Sequence, residues 1–123
     1  MYERILVGTD GSDTATRAVD RAIEVAAATG ARVTILSAGR ADRAQAVVDA
    51  EQARLAGAGV ALEGRAVTGD AATALVEEAE RGGYDLLVVG NKGMTGASRF
   101  LLGSVPNKVS HHATVALLIV RTT

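Results

Sequence analysis

The chain has 123 residues, 48% of them hydrophobic and only 2% aromatic, so we expect one domain over residues 1–123 with an aliphatic core. It has no cysteine, which excludes disulfides and thiol chemistry. Its net charge of −1 provides no basic field for nucleic acid. The longest apolar run, 115–120, is far shorter than the roughly 20 residues of a membrane helix, and the N-terminus lacks a signal-peptide pattern. These features predict a cytoplasmic protein with neither nucleic acid nor membrane as partner.

The first half of the chain alternates apolar runs with helical patterns. Residues 4–9 and 32–37 form short continuous apolar runs, typical of parallel strands that are buried on both faces. Between them, apolar residues at three- and four-residue spacing predict a helix that Ser12 or Asp13 caps and Gly30 ends. A weaker helix is predicted over residues 42–56, after an unusually short connection.

The second half continues the alternation. Over residues 60–67, apolar and charged residues alternate imperfectly, which is typical of an edge strand with one face open to solvent. Thr68 or Asp70 can cap a third helix, which Gly82 and Gly83 end. Strands at 86–89 and 115–120 flank a glycine-rich loop and a fourth helix from about Val105. The resulting β-α-β-α-β-α-β-α-β pattern predicts an α/β fold with an open parallel sheet and helices on both faces.

Ligands of such sheets bind outside the carboxyl ends of the strands, where strand order reverses. If the first and fourth strands are neighbours, Gly8, Thr9 and Asp10 face the loop after Gly90. In that loop, Gly90, Gly93 and Gly96 let the backbone approach a ligand, and Gly103-Ser104 opens a helix whose free N–H groups favour an anion. On the glycines alone, a long loop with Ser104 as a simple cap is equally open.

Other phosphate and nucleophile motifs do not fit. The chain contains no Gly-Lys dipeptide, so a Walker A loop is absent. The first turn, GTDG, lacks the dinucleotide fingerprint. The sequence GASRF at 96–100 lacks the second glycine of a nucleophile elbow.

The spacing Gly90-x-x-Gly93, nine residues, then Gly103-Ser104 matches the nucleotide signature G-2x-G-9x-G-[ST]. The flanks GTDGS at 8–12, DLLVV at 85–89 and LLGSVP at 101–106 match as well. Over nearly its whole length, the chain resembles the universal stress proteins of the ATP-binding type.

The resemblance implies a flavodoxin-like, adenine nucleotide alpha hydrolase-like sheet of strand order 3-2-1-4-5. It implies binding of ATP or a related adenine nucleotide, with AMP and cyclic AMP as candidates and Mg²⁺ as an optional companion. By position, the glycines of the signature and Ser104 hold the phosphates, Asp10 contacts ribose or metal-linked phosphate, Ala38 lies against adenine, and Val105 closes the pocket. The implied nucleotide-binding set is Gly8, Thr9, Asp10, Ala38, Val89, Gly90, Asn91, Lys92, Gly93, Arg99, Gly103, Ser104 and Val105.

Several assignments keep an alternative. Asp10 can simply form an Asx-turn, and Lys92 and Arg99 can be phosphate ligands or solvated loop charges. The adjacent histidines His111 and His112 favour a helix-dipole role over a metal site. The short connection between residues 38 and 41 predicts a more open pocket of lower affinity, because longer members cover the nucleotide there.

The resulting hypothesis is a nucleotide-binding sensor or regulator of the stress response. The resemblance also implies a homodimer through 115–120, although a strand buried within a monomer would look the same. We see no catalytic residue, so ATP hydrolysis is expected to be slow or absent. The alternatives are a partner-binding scaffold without nucleotide and a slow Mg²⁺-dependent ATPase that uses Asp10.

Overall fold

The computed structural model describes residues 2–91 and 115–121. Within them, five strands and three helices alternate until the chain reaches β4. Their bounds are β1 Arg4–Gly8, α1 Asp13–Thr29, β2 Arg32–Gly39, α2 Ala41–Arg54, β3 Leu62–Thr68, α3 Ala71–Gly82, β4 Leu86–Gly90 and β5 Ala116–Val120. The predicted fourth helix falls outside the described residues.

The five strands form one parallel sheet of order β3-β2-β1-β4-β5. The predicted strand order is therefore confirmed, including the position of β3 at an edge. In the central strand, Ile5 lies opposite Val33 of β2 and Leu86 of β4. Strand order thus reverses between β1 and β4, the place where parallel sheets of this kind bind ligands.

Side chains of β1 alternate between two cores, one on each face of the sheet. Ile5 and Val7 pack on the α1 side with Val19, whereas Leu6 packs on the α3 side with Leu75. All five side chains are fully buried, and burial of such a side chain contributes about 1.5–3 kcal/mol. Helices therefore cover both faces, as the continuous apolar runs predict.

Local chemistry sets the helix ends. Of the alternatives in the sequence, Ser12 caps α1 by accepting a hydrogen bond from the Ala15 N–H, and Asp70 caps α3 by accepting one from the Thr73 N–H at 2.9 Å. Gly30 ends α1 in the left-handed conformation, with φ +76°. Helix α2 begins without any side-chain cap.

The structure shifts several predicted strand bounds by one residue and two of them by two residues. Strand β2 runs on to Gly39, because Ala38 and Gly39 continue the ladder opposite Val67 and Thr68. Strand β3 begins at Leu62 rather than residue 60, since the first β2–β3 register pair joins Val33 to Leu62. No helix among the described residues is long and apolar enough to cross a membrane.

Candidate functional site

The loop after β1 is shaped by its own polar side chains. Thr9 is fully buried, and its backbone N–H donates to the Leu36 carbonyl at 2.9 Å. Its hydroxyl accepts a hydrogen bond from the Gly11 N–H at 3.0 Å. The Asp10 carboxylate accepts one from the Ser12 N–H at 2.9 Å, which is the Asx-turn that the sequence left open. Asp10 thus helps to start α1 while remaining half-buried at the sheet edge.

The end of β4 lies beside this loop. Val89 is buried, and Gly90 pairs with Val120 of β5. The Asn91 N–H donates to the Val120 carbonyl at 2.9 Å, so pairing with β5 continues past the strand end. Because β1 and β4 are parallel neighbours, their carboxyl ends place Gly8 and Gly90 at the same edge of the sheet.

Six of the predicted nucleotide-binding residues fall outside the described part of the chain. They are Lys92, Gly93, Arg99, Gly103, Ser104 and Val105. The predicted phosphate-binding elements therefore stay a sequence prediction, and the described site is the part formed by β1, β2, β3 and α2.

A cavity of about 280 Å³ opens at the carboxyl ends of β1, β2 and β3. It brings together Asp10 and Ala38, two predicted site residues from different strands. Its lining is Asp10, Ser37, Ala38, Gly39, Arg40, Arg43, Ala44, Val47, Gly69, Asp70 and Ala71. Small aliphatic side chains supply much of this wall, and charged groups interrupt it on several sides.

The first turn of α2 reaches the cavity because one residue, Arg40, separates β2 from α2. Gly39 has φ +138°, a conformation that a residue with a Cβ rarely adopts, and so permits this sharp turn. Val47 lies close to Gly11: a Cβ built at Gly11 would lie 3.2 Å from a Val47 methyl carbon. Helix α2 therefore packs directly against the loop after β1.

Sequence reasoning missed the contribution of α2 to this cavity. Arg43 and Val47 lie one turn apart on that helix and both line the cavity. The short connection predicted between residues 38 and 41 was a usable signal, since a helix that follows a strand so closely must start at the strand's carboxyl edge. The turn after β3, residues 69–71, could have been found by the same carboxyl-edge rule.

The acidic and basic groups of the cavity differ in their local bonding. Asp10 and Asp70 accept backbone hydrogen bonds in a turn and a helix cap. Arg40 pairs with Asp42 at 3.4 Å on the surface, a pair of little energetic weight. The Arg43 guanidinium makes no hydrogen bond or ion pair within residues 2–91 and 115–121.

No group of three or more His, Asp or Glu residues in the described part of the chain could hold a metal ion. The lining can instead accommodate a small organic anion or a flat ring. Small side chains offer an apolar surface, Asp10 offers an acceptor, and the arginines offer planar cations.

A family model for the universal stress protein family matches residues 1–51 and 37–121. The universal stress protein Rv1636 of Mycobacterium tuberculosis is 41% identical, over 99% of this chain and 98% of that protein. That alignment spans 145 positions, of which at least 22 have no counterpart among the 123 residues here. The two matched segments overlap over residues 37–51.

Solved structures show the same likeness. The crystal structure of a universal stress protein in complex with cAMP is 42% identical, with a TM-score of 0.80 over 99% of this chain and 98% of that chain. The crystal structure of Rv1636 from Mycobacterium tuberculosis is 44% identical, with a TM-score of 0.67 over 99% and 97%. By sequence and by fold, the chain belongs to the universal stress protein family.

Proposed function

We propose that this protein binds an adenine nucleotide at the carboxyl edge of its sheet and acts as a regulator in a stress response. The observation that carries the proposal is the meeting of Asp10 and Ala38 in one cavity beside the point where strand order reverses. A relative of 42% identity and nearly full coverage was crystallised with cAMP, which supports an adenine nucleotide as the ligand.

The size and lining of the cavity suit the nucleoside part of such a ligand. Its 280 Å³ is close to the lower end of ligand-site volumes, about 300 Å³. Ala38 and Ala71 leave room for a flat base between them and α2, and the Asp10 carboxylate can accept hydrogen bonds from ribose hydroxyls. The phosphates would then extend toward the end of β4 and the predicted Gly103-Ser104 helix start.

The finer identity of the ligand belongs to the proposal as well. ATP, AMP and cyclic AMP share the adenine and ribose that this cavity would hold, so the phosphate-binding residues decide among them. We propose binding without rapid hydrolysis, in the cytoplasm, with Mg²⁺ accompanying a triphosphate.

A homodimer is the proposed assembly. Strand β5 pairs with β4 and forms the other edge of the described sheet. Ile119 on this edge strand is 38% exposed, and edge strands with exposed apolar side chains readily pair with another chain. This supports a second copy as the partner of β5.

Isothermal titration of ATP, ADP, AMP and cyclic AMP tests the proposed function. At least one should bind the wild-type protein with measurable heat. Ala38→Leu should abolish that heat, because the larger side chain fills the cavity, whereas Ala53→Leu, at an exposed position of α2, should leave it unchanged. Gly103→Val should also abolish binding without unfolding the protein. Absence of heat with all four ligands would refute the proposal.

A further inference from the structure

We propose that Arg43 covers the face of the adenine base, so that the first turn of α2 forms one wall of the nucleotide site. The inference rests on the proposed function and adds the residue that recognises the ring. It concerns the part of the site that sequence reasoning missed.

The position of Arg43 follows from the packing of α2. Arg43 and Val47 are four residues apart on the helix, so they lie on one face. Val47 is fixed against the loop after β1 by its close approach to Gly11. Since both residues line the cavity, the face of α2 that carries them is turned toward the space between Asp10 and Ala38.

The composition of the lining leaves an arginine as the planar group that can cover a ligand ring. An aromatic ligand ring is usually held between an apolar surface and a flat partner. Ala38, Ala44, Val47 and Ala71 supply the apolar surface, and no aromatic side chain is among the residues that line the cavity. Tyr2 and Tyr84, the aromatic residues of the described part, pack against the core instead. A guanidinium is planar, is weakly hydrated and stacks on aromatic faces.

Stacking of a guanidinium on an aromatic ring already occurs elsewhere in the molecule. The Arg4 guanidinium carbon lies 4.7 Å from the centre of the Tyr84 ring. Arg43 lies on the face of α2 that also carries Val47, whereas its neighbour Arg40 precedes the helix and pairs with Asp42 on the surface. Arg43 has no competing partner among the described residues, so stacking on a ligand would break no existing ion pair.

The test compares Arg43→Ala, Arg43→Lys and the control Arg32→Ala in calorimetric titrations with adenosine, AMP and ATP. Arg32 is exposed at the start of β2, and therefore at the amino ends of the strands, away from the cavity. Its replacement by alanine changes the net charge by the same amount as Arg43→Ala. A cation–π contact at a partly exposed site predicts a three- to tenfold loss of affinity, roughly equal for all three ligands. Arg43→Lys should restore only a part of it, since an ammonium group is not planar.

Direct contact should also move the NMR signal of the Arg43 Nε–H upfield when adenosine is added, because the proton then lies over a ring. A loss that grows with the number of phosphates and vanishes for adenosine would overturn the proposal, since it marks a phosphate contact. Equal affinity of Arg43→Ala and wild type would overturn it while leaving the proposed function intact. If the wild type binds none of adenosine, AMP, ADP, ATP and cyclic AMP, both this proposal and the proposed function are overturned.

Discussion

Gly11 joins the loop after β1 to α2, and its replacement by alanine tests whether the two elements form one wall. Gly11 has φ +82°, which costs a residue with a Cβ about 1–2 kcal/mol. The new methyl group would also lie 3.2 Å from a Val47 methyl carbon. Val47 is half-buried, so this crowding should add about 1 kcal/mol, the low end for overpacking.

Gly59 offers a matched control. Its φ of +75° is nearly the same, and a Cβ there would meet nothing within 4 Å. Gly59→Ala therefore carries the backbone strain without the contact. Any entropic gain from replacing glycine in the unfolded chain applies to both variants and cancels in the comparison. The Gly11→Ala protein should thus be less stable than the Gly59→Ala protein by about 1 kcal/mol.

Urea unfolding followed by far-ultraviolet circular dichroism measures the difference. In the Val47→Ala background, Gly11→Ala should lower the free energy of unfolding by about 1 kcal/mol less than in the wild type, because the crowding is gone. A double-mutant cycle separates this coupling from the cost of Val47→Ala itself. Gly11→Ala should also weaken nucleotide binding, because either Asp10 or α2 must shift by a few tenths of an ångström, whereas Gly59→Ala should not. Identical stabilities of the two glycine variants and no coupling to Val47 would refute the proposed contact.

Three further predictions concern the sheet edges and the core. Gly64→Ala should destabilise the protein by about 1–3 kcal/mol in urea unfolding, because a Cβ would collide with Val48 and Gln52 of α2. Gly57→Ala is the control, since a Cβ at that position has no atom within 4 Å. Equal losses of stability in the two variants would contradict the packing of α2 on β3. Ile119→Lys should shift the protein toward monomer in sedimentation velocity, whereas Ala53→Lys, at an exposed position of α2, should not. A dimer that is unchanged by Ile119→Lys, or a wild-type protein that is monomeric, would exclude pairing through β5. Burial raises the pKa of Tyr84, although a hydrogen bond to Thr34 opposes this, so the folded state holds the phenolic proton more tightly than the unfolded state. The stability from this difference is complete below about pH 10 and is lost as the pH rises through the folded pKa. Ultraviolet titration of a Tyr2→Phe variant, which keeps Tyr84 as its single tyrosine, should show late ionisation; ionisation near pH 10 would contradict it.

The alternation of strands and helices could be predicted because it depends on patterns that are local in sequence, whereas the strand order came from the family resemblance. The strands other than β3 are short, mainly apolar runs, β3 shows an imperfect alternation, and α1 and α3 have apolar stripes bounded by glycine. Ser12 and Asp70 cap these helices within four residues of their partners. Once strands and helices alternate, right-handed crossovers leave few possible topologies, and the family resemblance selects one of them.

The buried acids could not be predicted, because their partners are distant in sequence or depend on packing. Glu78 is only 6% exposed. Its carboxylate accepts a hydrogen bond from the buried Tyr84 hydroxyl at 2.9 Å and pairs with Arg65 of β3 and Arg81. Helical periodicity places Glu78 seven residues after Ala71, at the border of the apolar stripe of α3, but nothing local indicates that a strand and a tyrosine will surround its carboxylate.

The candidate site also contains residues that could be placed from the sequence and residues that could not. Asp10 could be placed because it directly follows a predicted strand, and Ala38 was placed by the family resemblance. Arg43 could not, because which side of α2 faces the cavity depends on the turn that Gly39 makes and on the contact between Val47 and Gly11. The roles of both groups of residues, and the phosphate-binding loop, stay predictions.

The short β2–α2 connection has two opposing effects on affinity. If the cavity holds a nucleotide as we propose, the short connection supplies fewer residues to cover it, which by itself should weaken binding. The wall that stands in their place is a helix anchored on several sides: Val48 packs against Gly64 of β3, and Arg54 bridges Glu51 and Asp20 of α1 at 2.8 Å. A loop that closes over a ligand loses conformational entropy, whereas an anchored helix is already ordered. We therefore expect the preorganised α2 to offset part of the loss of affinity that the sequence alone predicts.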